Sequence, residues 1–289
     1  MKKQFFRVTA AVVLSAAFSA CGDAGKAAPS TPEQMYARAQ ALLKPNTEGE
    51  QSDFVGAMEW LTRAAEGGWQ QARLDLGGIY LQGGKGVTAD PNKAYDWFLQ
   101  AAEAGSAEAE FYLGHILYNG LGRTADKAAA MVHWRKAAAA GIGEAQYRLA
   151  HLLLQDSATQ AEALELLQKV AAGSVPKLAA QAACDLGNIY AKGSYGVALD
   201  MHKAADWYAR AARGGNSRAQ LVYAIMLLSG DSVPVDPQQG MAMLRLAAGQ
   251  DNPQAMGLLI NLLRNAENAA ENEEEAAAWS ARLETLRKK

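Results

Sequence analysis

Residues 90–122 read DPNKAYDWFLQAAEAGSAEAEFYLGHILYNGLG, and this stretch decides the fold because its pattern returns along most of the chain. Trp97 has counterparts 37 residues before and after it, Trp60 and Trp134. A repeated alanine follows at intervals of 36 or 37 residues: Ala72, Ala109, Ala145, Ala182, Ala219 and Ala255. Self-similarity at this period is typical of helical solenoids, in which each unit buries its apolar face against its neighbours. The sequence therefore predicts a stacked array of helix pairs.

Small residues and tryptophans mark the predicted core of this array. Five positions after each of the first five alanines come Gly77, Gly114, Ala150, Gly187 and Ala224. Small side chains let two helix backbones approach closely, and we expect each tryptophan to be buried between its unit and the next. The pairs Asp90-Pro91 and Asp236-Pro237 predict helix starts, because aspartate caps a helix and proline suits its first turn.

These features predict an all-α fold, a solenoid of six helix-turn-helix units over residues 50–267. A helix over residues 32–45 is expected to cap the front of the array, and a helix over residues 268–289 to cap its end. The fourth unit departs most from the pattern, since Leu167 takes the place of a tryptophan and SVPKLAAQA (174–182) lengthens the turn. Such a departure either loosens the array locally or marks a place where a partner binds.

The N-terminus predicts export from the cytoplasm. Basic residues precede a short apolar run, and residues 18–21 read Phe-Ser-Ala-Cys. The run is too short to span a bilayer, and its order is that of a cleaved signal. Residues 18–21 resemble a bacterial lipobox, although Phe18 stands where leucine is usual. We therefore predict a lipoprotein signal peptide over residues 1–20 and lipidation of Cys21. The alternatives are a plain secretory cleavage nearby, or export with Cys21 unmodified.

The residues after Cys21 bear on where the protein is held. A tether over residues 21–31, rich in Gly, Ala, Ser and Pro, is expected to join the lipid to the folded part. Gly22, rather than an aspartate, follows the cysteine, and the resemblance to sorted bacterial lipoproteins then implies the outer membrane. We expect a lipid-anchored protein that faces the periplasm.

Charge and cysteine content argue against nucleic-acid binding and against a disulfide within the chain. The formal net charge is −2, from 28 Lys and Arg against 30 Asp and Glu, and the charges are evenly mixed. Nucleic-acid binding calls for concentrated Lys and Arg, so no such role is expected. If Cys21 carries lipid, Cys184 has no partner for a disulfide within the chain. It lies in an apolar run and is expected to be a small, buried core residue.

The tracts at 90–122 and 200–220 resemble the Sel-one-like repeat, a relative of the tetratricopeptide repeat. The resemblance covers about residues 50–267 and is weaker in the third, fourth and sixth units. It implies paired antiparallel helices in a right-handed superhelix. It also implies scaffold or adaptor roles without a cofactor, often in bacterial envelopes.

Residues that could carry chemistry are few. His115 and His151 occupy equivalent positions in successive units, but no acidic or cysteine companion at matching spacing completes a metal site. The sequence contains no nucleophile elbow, phosphate-binding loop, dinucleotide fingerprint or His-Glu-x-x-His helix. We therefore expect no metal, no cofactor and no enzymatic activity.

Five residues are the candidate partner-binding surface: Trp69, Tyr95, Leu99, Lys136 and Arg245. All but Trp69 stand two positions before or after a tryptophan or its equivalent, on the first helix of a unit. By analogy with tetratricopeptide arrays these helices line the concave face, and aromatic and arginine side chains are common anchors of interfaces. Trp69 lies in a turn where other units carry Ser106 or Asn216. The alternative is that these side chains, Tyr95 and Leu99 above all, simply pack between units.

The function that fits best is a non-catalytic envelope lipoprotein that binds another protein through its repeat surface, as a scaffold, adaptor or assembly factor. An alternative is a periplasmic immunity protein that neutralises a secretion-system toxin, which the mildly acidic charge favours only if the toxin is basic. A third, of a different class, is a cell-wall-active enzyme.

Overall fold

The computed structural model describes residues 29–43, 53–84, 86–266 and 269–288. The predicted signal peptide, Cys21 and most of the tether lie outside the described residues. Within them the fold is all-α, as predicted, apart from one isolated bridge between Gly84 and Val87. The chain divides into two compact units, one ending at Gly67 and the other beginning at Gly68.

The first unit holds two helices, α1 (Pro32–Leu43) and α2 (Phe54–Glu66), which pack against each other. Asp53 caps α2, because its carboxylate accepts a hydrogen bond from the backbone N–H of Gly56 at 2.9 Å. Small and aliphatic side chains supply the buried residues of both helices: Ala39, Ala57, Leu61, Ala64 and Ala65.

The second unit holds the other helices of the described chain, and from α3 to α14 each is in contact with the next. They are α3 (Gln70–Gln82), α4 (Pro91–Glu103), α5 (Ala107–Asn119), α6 (Lys127–Ala139), α7 (Gly143–Leu153), α8 (Gln160–Ala171), α9 (Pro176–Lys192), α10 (Met201–Arg213), α11 (Ser217–Ser229), α12 (Pro237–Gly249), α13 (Pro253–Arg264) and α14 (Ala269–Arg287). Because each helix packs on its neighbours in the sequence, three clusters of buried residues follow one another along the chain. This is the architecture of an α-solenoid.

Aspartate caps start most of the even-numbered helices of this unit. Asp90, Asp126, Asp200 and Asp236 each accept a backbone N–H from the first turn of the helix that follows. The two predicted Asp-Pro helix starts are thereby confirmed. Among the even-numbered helices from α4 to α12, helix α8 is the exception, because Thr159 at its start makes no capping hydrogen bond. The fourth unit thus departs from the others in its capping as well as in its sequence.

Glycine–aromatic contacts join three helix pairs, α3–α4, α5–α6 and α9–α10. A Cβ atom built on Gly77 would lie 2.6 Å from Cε1 of Phe98, and one built on Gly187 would lie 2.8 Å from Cδ1 of Tyr208. Gly114 faces the indole of Trp134 in the same way. Only a residue without a side chain leaves room for an aromatic ring at this distance, so these glycines are required by packing rather than by backbone conformation.

Alanine–leucine pairs occupy the same two positions in the other units. Ala150 and Leu167 are both fully buried in one core cluster, and Ala224 and Leu244 are both fully buried in another. An extra methyl group on one helix is matched by a smaller side chain on the next.

The expectation that the tryptophans are buried alike is wrong. Trp60, Trp97 and Trp207 are half-buried, whereas Trp134 is 2% exposed. In the units of the three half-buried tryptophans, the next residue along the chain is the buried one. These residues are Leu61, Phe98 and Tyr208, which are 1%, 0% and 4% exposed.

The reason is a shift of one residue in the third unit. Trp97 stands four residues before Ala101, the first of its Ala-Ala pair, but Trp134 stands three residues before Ala137. One residue along a helix turns the side chain by about 100°, so the two tryptophans point in different directions. Trp134 is therefore the counterpart of Phe98 and not of Trp97.

The last helix covers the end of the array. Ala276 and Leu283 of α14 are buried in the cluster that contains Leu259 and Leu263 of α13. Its rim is charged: ion pairs join Arg264 to Glu273, Arg245 to Glu275 and Arg282 to Asp251. Glutamates of the acidic run that begins α14 thus pair with arginines of the preceding helices.

Candidate protein-binding surface

The five predicted surface residues are spread over the second unit, and several are already engaged. Tyr95 and Leu99 are half-buried and pack on the core cluster around Phe98. The guanidinium of Arg123 lies over the ring of Tyr95, with its Cζ atom 3.4 Å from the ring centroid. Both residues of α4 therefore serve the packing between helices.

Lys136 and Arg245 are exposed but form ion pairs within the chain. The Lys136 Nζ atom lies 3.0 Å from Oε1 of Glu110, whose other oxygen contacts Nδ1 of His133. Arg245 donates two hydrogen bonds to Glu275, at 2.7 and 2.9 Å. These bonds raise the pKa of Arg245 and lower that of Glu275. A partner that recruited either cation would first have to separate it from its carboxylate.

Lys136 also illustrates the shift of one residue in the third unit. The sequence pattern pairs it with Leu99, two positions after a tryptophan. Counted from the Ala-Ala pairs, its counterpart in α4 is Gln100, and Leu99 corresponds to Arg135. Lys136 and Leu99 therefore do not lie on the same stripe of the array.

Trp69 lies beside a cavity of about 490 Å³ that crosses the first turns of α3 and α5. Gln71, Leu74 and Glu108 line the cavity with it, and Ile142, which precedes α7, closes one side. The indole is half-buried in the wall of this cavity.

A surface that the sequence reasoning missed lies on the odd-numbered helices. We call it the odd-helix face and define it by the positions one before, three after and six after each repeated alanine. Its members on α5 to α11 are Glu108, Tyr112, His115, Glu144, Arg148, His151, Gln181, Asp185, Asn188, Arg218, Val222 and Ile225. All are exposed or half-buried, whereas the alanines themselves are fully buried. The equivalence of His115 and His151 was the one sequence signal that pointed here.

Contacts between helices join the odd-helix face from α7 to α11. The phenol of Tyr147, on α7, donates a hydrogen bond of 2.6 Å to Oδ2 of Asp185, on α9. The Nε2 atom of His151 lies 3.1 Å from the same oxygen. The amide of Asn216, which caps α11, donates to Gln181 of α9 at 3.3 Å. Side chains of α7, α9 and α11 thus meet directly, across the even-numbered helices between them.

The electrostatics around this face keep Tyr112, Tyr147 and His115 uncharged near neutral pH. Burial, together with the carboxylates of Glu108 and Glu144, raises the pKa of Tyr112 to about 12. Burial, and then the hydrogen bond to Asp185, raises the pKa of Tyr147 well above its ordinary value. Burial and the nearby Arg148 guanidinium lower the pKa of His115. These groups therefore offer hydrogen bonds and apolar area rather than charge.

Two arginines on this face stand apart from the ion pairs seen elsewhere. Neither Arg148 nor Arg218 forms an ion pair with any of the described residues. Arg148 is half-buried in the middle of α7, and Arg218 is exposed in the first turn of α11. Cationic side chains in this state are available to an anionic group from outside the chain.

Two cavities open next to these arginines. The larger, which we call the tyrosine cavity, has a volume of about 560 Å³ and is lined by Tyr118, Trp134, Tyr147, Arg148, His151 and Tyr195, among others. The smaller, of about 290 Å³, lies between α9 and α11 and includes Gln181, Asp185, Arg218 and Cys184. Cys184 is 1% exposed, as predicted, and burial raises the pKa of its thiol to about 11. It remains protonated, and its role there is packing.

Among the described residues no group of three or more His, Cys, Asp or Glu side chains is placed to hold a metal ion. His115 lies by Asn119 and His151 by Asp185, so the two histidines do not share a ligand position. None of the helices within the described ranges combines the length and the apolar character needed to cross a bilayer.

Comparison with protein families gives a match over most of the chain. The Sel1 repeat model matches six segments: residues 35–69, 70–106, 107–142, 143–174, 180–216 and 217–252. Each matched repeat begins one helix earlier than the unit predicted from the sequence. Helix α1 is therefore the first helix of the first repeat, and α13 and α14 lie outside the matched segments. Comparison with the curated proteins finds no match.

Solved structures show the same fold. A protective antigen present in uropathogenic Escherichia coli strains, which displays an SLR fold, is 26% identical with a TM-score of 0.75, over 87% of this chain and 53% of the antigen. This chain thus spans about half the length of that relative. A Sel1 repeat protein from Oxalobacter formigenes is 22% identical with a TM-score of 0.69, over 88% of this chain and 98% of the other. An immunity protein from Pseudomonas aeruginosa is 21% identical over 76% of this chain and 82% of its own, and its TM-score of 0.44 is too low to bear on what this chain binds.

Proposed function

This chain belongs to the Sel1 repeat family, and from that premise we propose that it is a non-catalytic envelope lipoprotein that binds another protein through its repeat surface. Solenoid repeats present an extended surface whose core positions are fixed by packing and whose outward positions are free to vary. Such a surface suits a scaffold, adaptor or assembly factor.

The observation that carries the proposal is the state of the side chains on the odd-helix face. Aromatic and guanidinium groups are the side chains that most often dominate binding energy at interfaces. On this face Tyr112 and Arg148 are half-buried on neighbouring helices, and Arg148 forms no ion pair within the described residues. Because Arg148 has no ion pair of its own, a partner would not first have to separate it from a carboxylate. We therefore place the partner on the odd-helix face.

Location is proposed from the N-terminal sequence. Cleavage after residue 20 and acylation of Cys21 would anchor the chain to a membrane by lipid alone, and two or more acyl chains are enough for stable anchoring. Gly22 favours the outer membrane, and the folded part would then face the periplasm.

The test is an affinity capture from the native envelope with the full-length tagged protein. One variant changes the odd-helix face, Tyr112→Ala with Arg148→Gln, and a matched variant changes the predicted residues of the even-numbered helices, Lys136→Ala with Arg245→Ala. We expect one dominant partner that is lost with the first variant and retained with the second. Circular dichroism of each variant controls for folding.

The opposite result would move the site. If the partner were lost only with the second variant, the binding function would stand, but the binding surface would be the one that holds Lys136 and Arg245. The identity of the partner also separates scaffold from immunity protein, since a secreted toxin would establish the latter. Capture of nothing in any growth condition, or release of fragments from purified peptidoglycan, would contradict the proposal.

Lipidation is tested separately. Labelling of cells with a clickable palmitate analogue should mark the wild-type protein, and Cys21→Ser should abolish the label and release the chain from the membrane fraction. An unlabelled wild-type protein in the soluble periplasm would indicate plain secretory cleavage instead.

A further inference from the structure

The tyrosine cavity combines aromatic walls with one cation. Tyr118, Trp134, Tyr147 and Tyr195 line it, and Arg148 is the one Lys, Arg, Asp or Glu among its lining residues. Its volume of about 560 Å³ lies within the range of pockets that bind specific ligands. A guanidinium between aromatic rings, without a carboxylate of its own, is complementary to an anionic group joined to a flat or apolar one.

Intramolecular contacts hold the walls of the cavity in place. The Tyr118 and Trp134 rings lie 5.1 Å apart, and the indole donates a hydrogen bond of 3.2 Å to the carbonyl oxygen of Phe111. On the opposite side Asp185 accepts from Tyr147 and contacts His151, so that both rings are fixed from behind. The carboxylate of Asp185 is occupied by these contacts and does not line the cavity. Binding would therefore need little rearrangement of the walls.

Tyr195 stands out because its backbone is unfavourable for its side chain. Its φ of 58° lies in the left-handed region, between Gly193 at 60° and Gly196 at 74°. The ring is 42% exposed at the mouth of the cavity. Non-glycine residues held in this region cost free energy and cluster at functional sites. The cavity thus presents an exposed aromatic ring where a glycine would suit the fold better.

A carboxylate of a protein ligand belongs either to its C-terminus or to an aspartate or glutamate side chain, and the hydrogen-bond donors at the cavity distinguish the two. Capture of a chain terminus commonly uses several free backbone N–H groups in addition to a side chain. Arg148 lies in the middle of α7, where backbone N–H groups are used within the helix, so only its side chain can reach a ligand carboxylate. This geometry suits an aspartate or glutamate side chain that enters the cavity from a segment passing over it.

We propose that the tyrosine cavity binds an extended segment of the partner protein, with an aspartate or glutamate on Arg148 and a neighbouring aromatic or proline residue against Tyr118 and Tyr195. This inference rests on the proposed function, because it supposes a protein partner, and it adds the chemistry by which that partner is recognised.

Short fluorescein-labelled peptides with a central glutamate, flanked by tyrosine, proline or alanine, are the probe, and a matched set carries glutamine instead. Anisotropy is measured with the full-length protein in detergent. We expect glutamate peptides with tyrosine or proline to bind, and Arg148→Gln to weaken them by about 30-fold or more, the effect of removing one partner of a desolvated charge pair. The Arg148→Gln protein should no longer distinguish glutamate from glutamine. Arg218→Gln, on the same face outside this cavity, should leave binding unchanged.

Tyr195→Gly provides a second variant that does not depend on a destabilising change. Relief of the left-handed tyrosine should leave the melting temperature equal or higher, while peptide affinity falls. Equal affinity would show that the ring takes no part in binding and would overturn that contact.

Other outcomes separate this inference from the function itself. If no peptide shows glutamate-dependent binding, or if only a free C-terminal carboxylate matters, the proposal for the cavity is overturned. If the envelope partner is still captured by the Arg148→Gln protein at full yield, the adaptor function stands and the cavity is excluded as its site.

Discussion

The helix pairs α5–α6 and α7–α8 fill the space between their helices in different ways. Gly114 leaves room for the indole of Trp134, whereas Ala150 is paired with the smaller Leu167. The first arrangement interlocks a ring with a backbone and adds a hydrogen bond from the indole to Phe111. The second has no polar contact at the equivalent position among the described residues. In both, a small residue on one helix faces a larger side chain on the next, so the repeat constrains how the two residues fit together rather than the identity of either.

The fourth unit makes up for this difference elsewhere. Asp185 joins Tyr147 and His151 and thereby ties α9 to α7 across α8. Helix α9, with 17 residues, is also longer than the 13-residue helices common in the other units. Helix α8, which lacks both the aromatic ring and the aspartate cap, thus lies between two helices that a polar link joins.

The largest effect should come from removing the aromatic ring. Trp134→Leu should lower the free energy of unfolding by about 2–4 kcal/mol, because the indole leaves a cavity and Phe111 loses a donor. Adding Gly114→Ala to this variant should recover part of the loss, since it recreates the alanine–leucine pair. Urea denaturation followed by circular dichroism measures both. Strict additivity of the two changes would show that the positions are not coupled.

A smaller effect is expected from filling the glycine position alone. Gly114→Ala should cost about 1–3 kcal/mol, because the new methyl group meets the Trp134 ring. Gly257→Ala is the matched control: it lies within α13 with nothing within 4 Å of the added Cβ, so the better helix propensity of alanine should stabilise by up to about 1 kcal/mol. Opposite signs for the same substitution support the packing argument, and a loss of stability in both would contradict it.

The smallest change concerns the polar link of the fourth unit. Asp185→Ala should cost about 1–2 kcal/mol, since it leaves the half-buried phenol of Tyr147 without its acceptor. Glu162→Ala removes an exposed ion pair with Arg135 at 3.8 Å and should change stability by less than about 0.5 kcal/mol. Thermal unfolding of both variants compares them. If Asp185→Ala proved as neutral as its control, the link would not support the unit.

Sequence reasoning identified the fold but aligned the tryptophan of the third unit wrongly by one residue. The alanine series, the small residues and the Asp-Pro starts predicted helices in the right places, because each records a local requirement that is the same in every unit. The spacing of Trp60, Trp97 and Trp134 suggested a fourth such series and was misleading. Trp134 belongs with Phe98 and Tyr208, and the similar size of aromatic residues hid a shift of one position.

The candidate site was less accessible from the pattern. Tyr95 and Leu99 vary between units as surface residues would, yet they pack on the core of their own unit. Lys136 and Arg245 carry charge, but their partners Glu110 and Glu275 lie about 26 to 30 residues away in the sequence. Variation marks positions free of the repeat constraint, and it does not distinguish a side chain that awaits a partner from one that has found it within the chain.

The amino-acid sequence by itself determined that this protein is an array of helix pairs, with its period, its small core positions and most of its helix caps. Those features depend on contacts between adjacent turns and adjacent helices, which recur at fixed spacing. Only the tertiary structure decided which aromatic ring packs on which glycine. It also decided that Lys136 and Arg245 have ion pairs whereas Arg148 and Arg218 have none among the described residues. The same holds for the cavity that Tyr118, Arg148 and Tyr195 line together. Such meetings depend on where side chains from different helices end in space, and no periodicity in the sequence encodes that position.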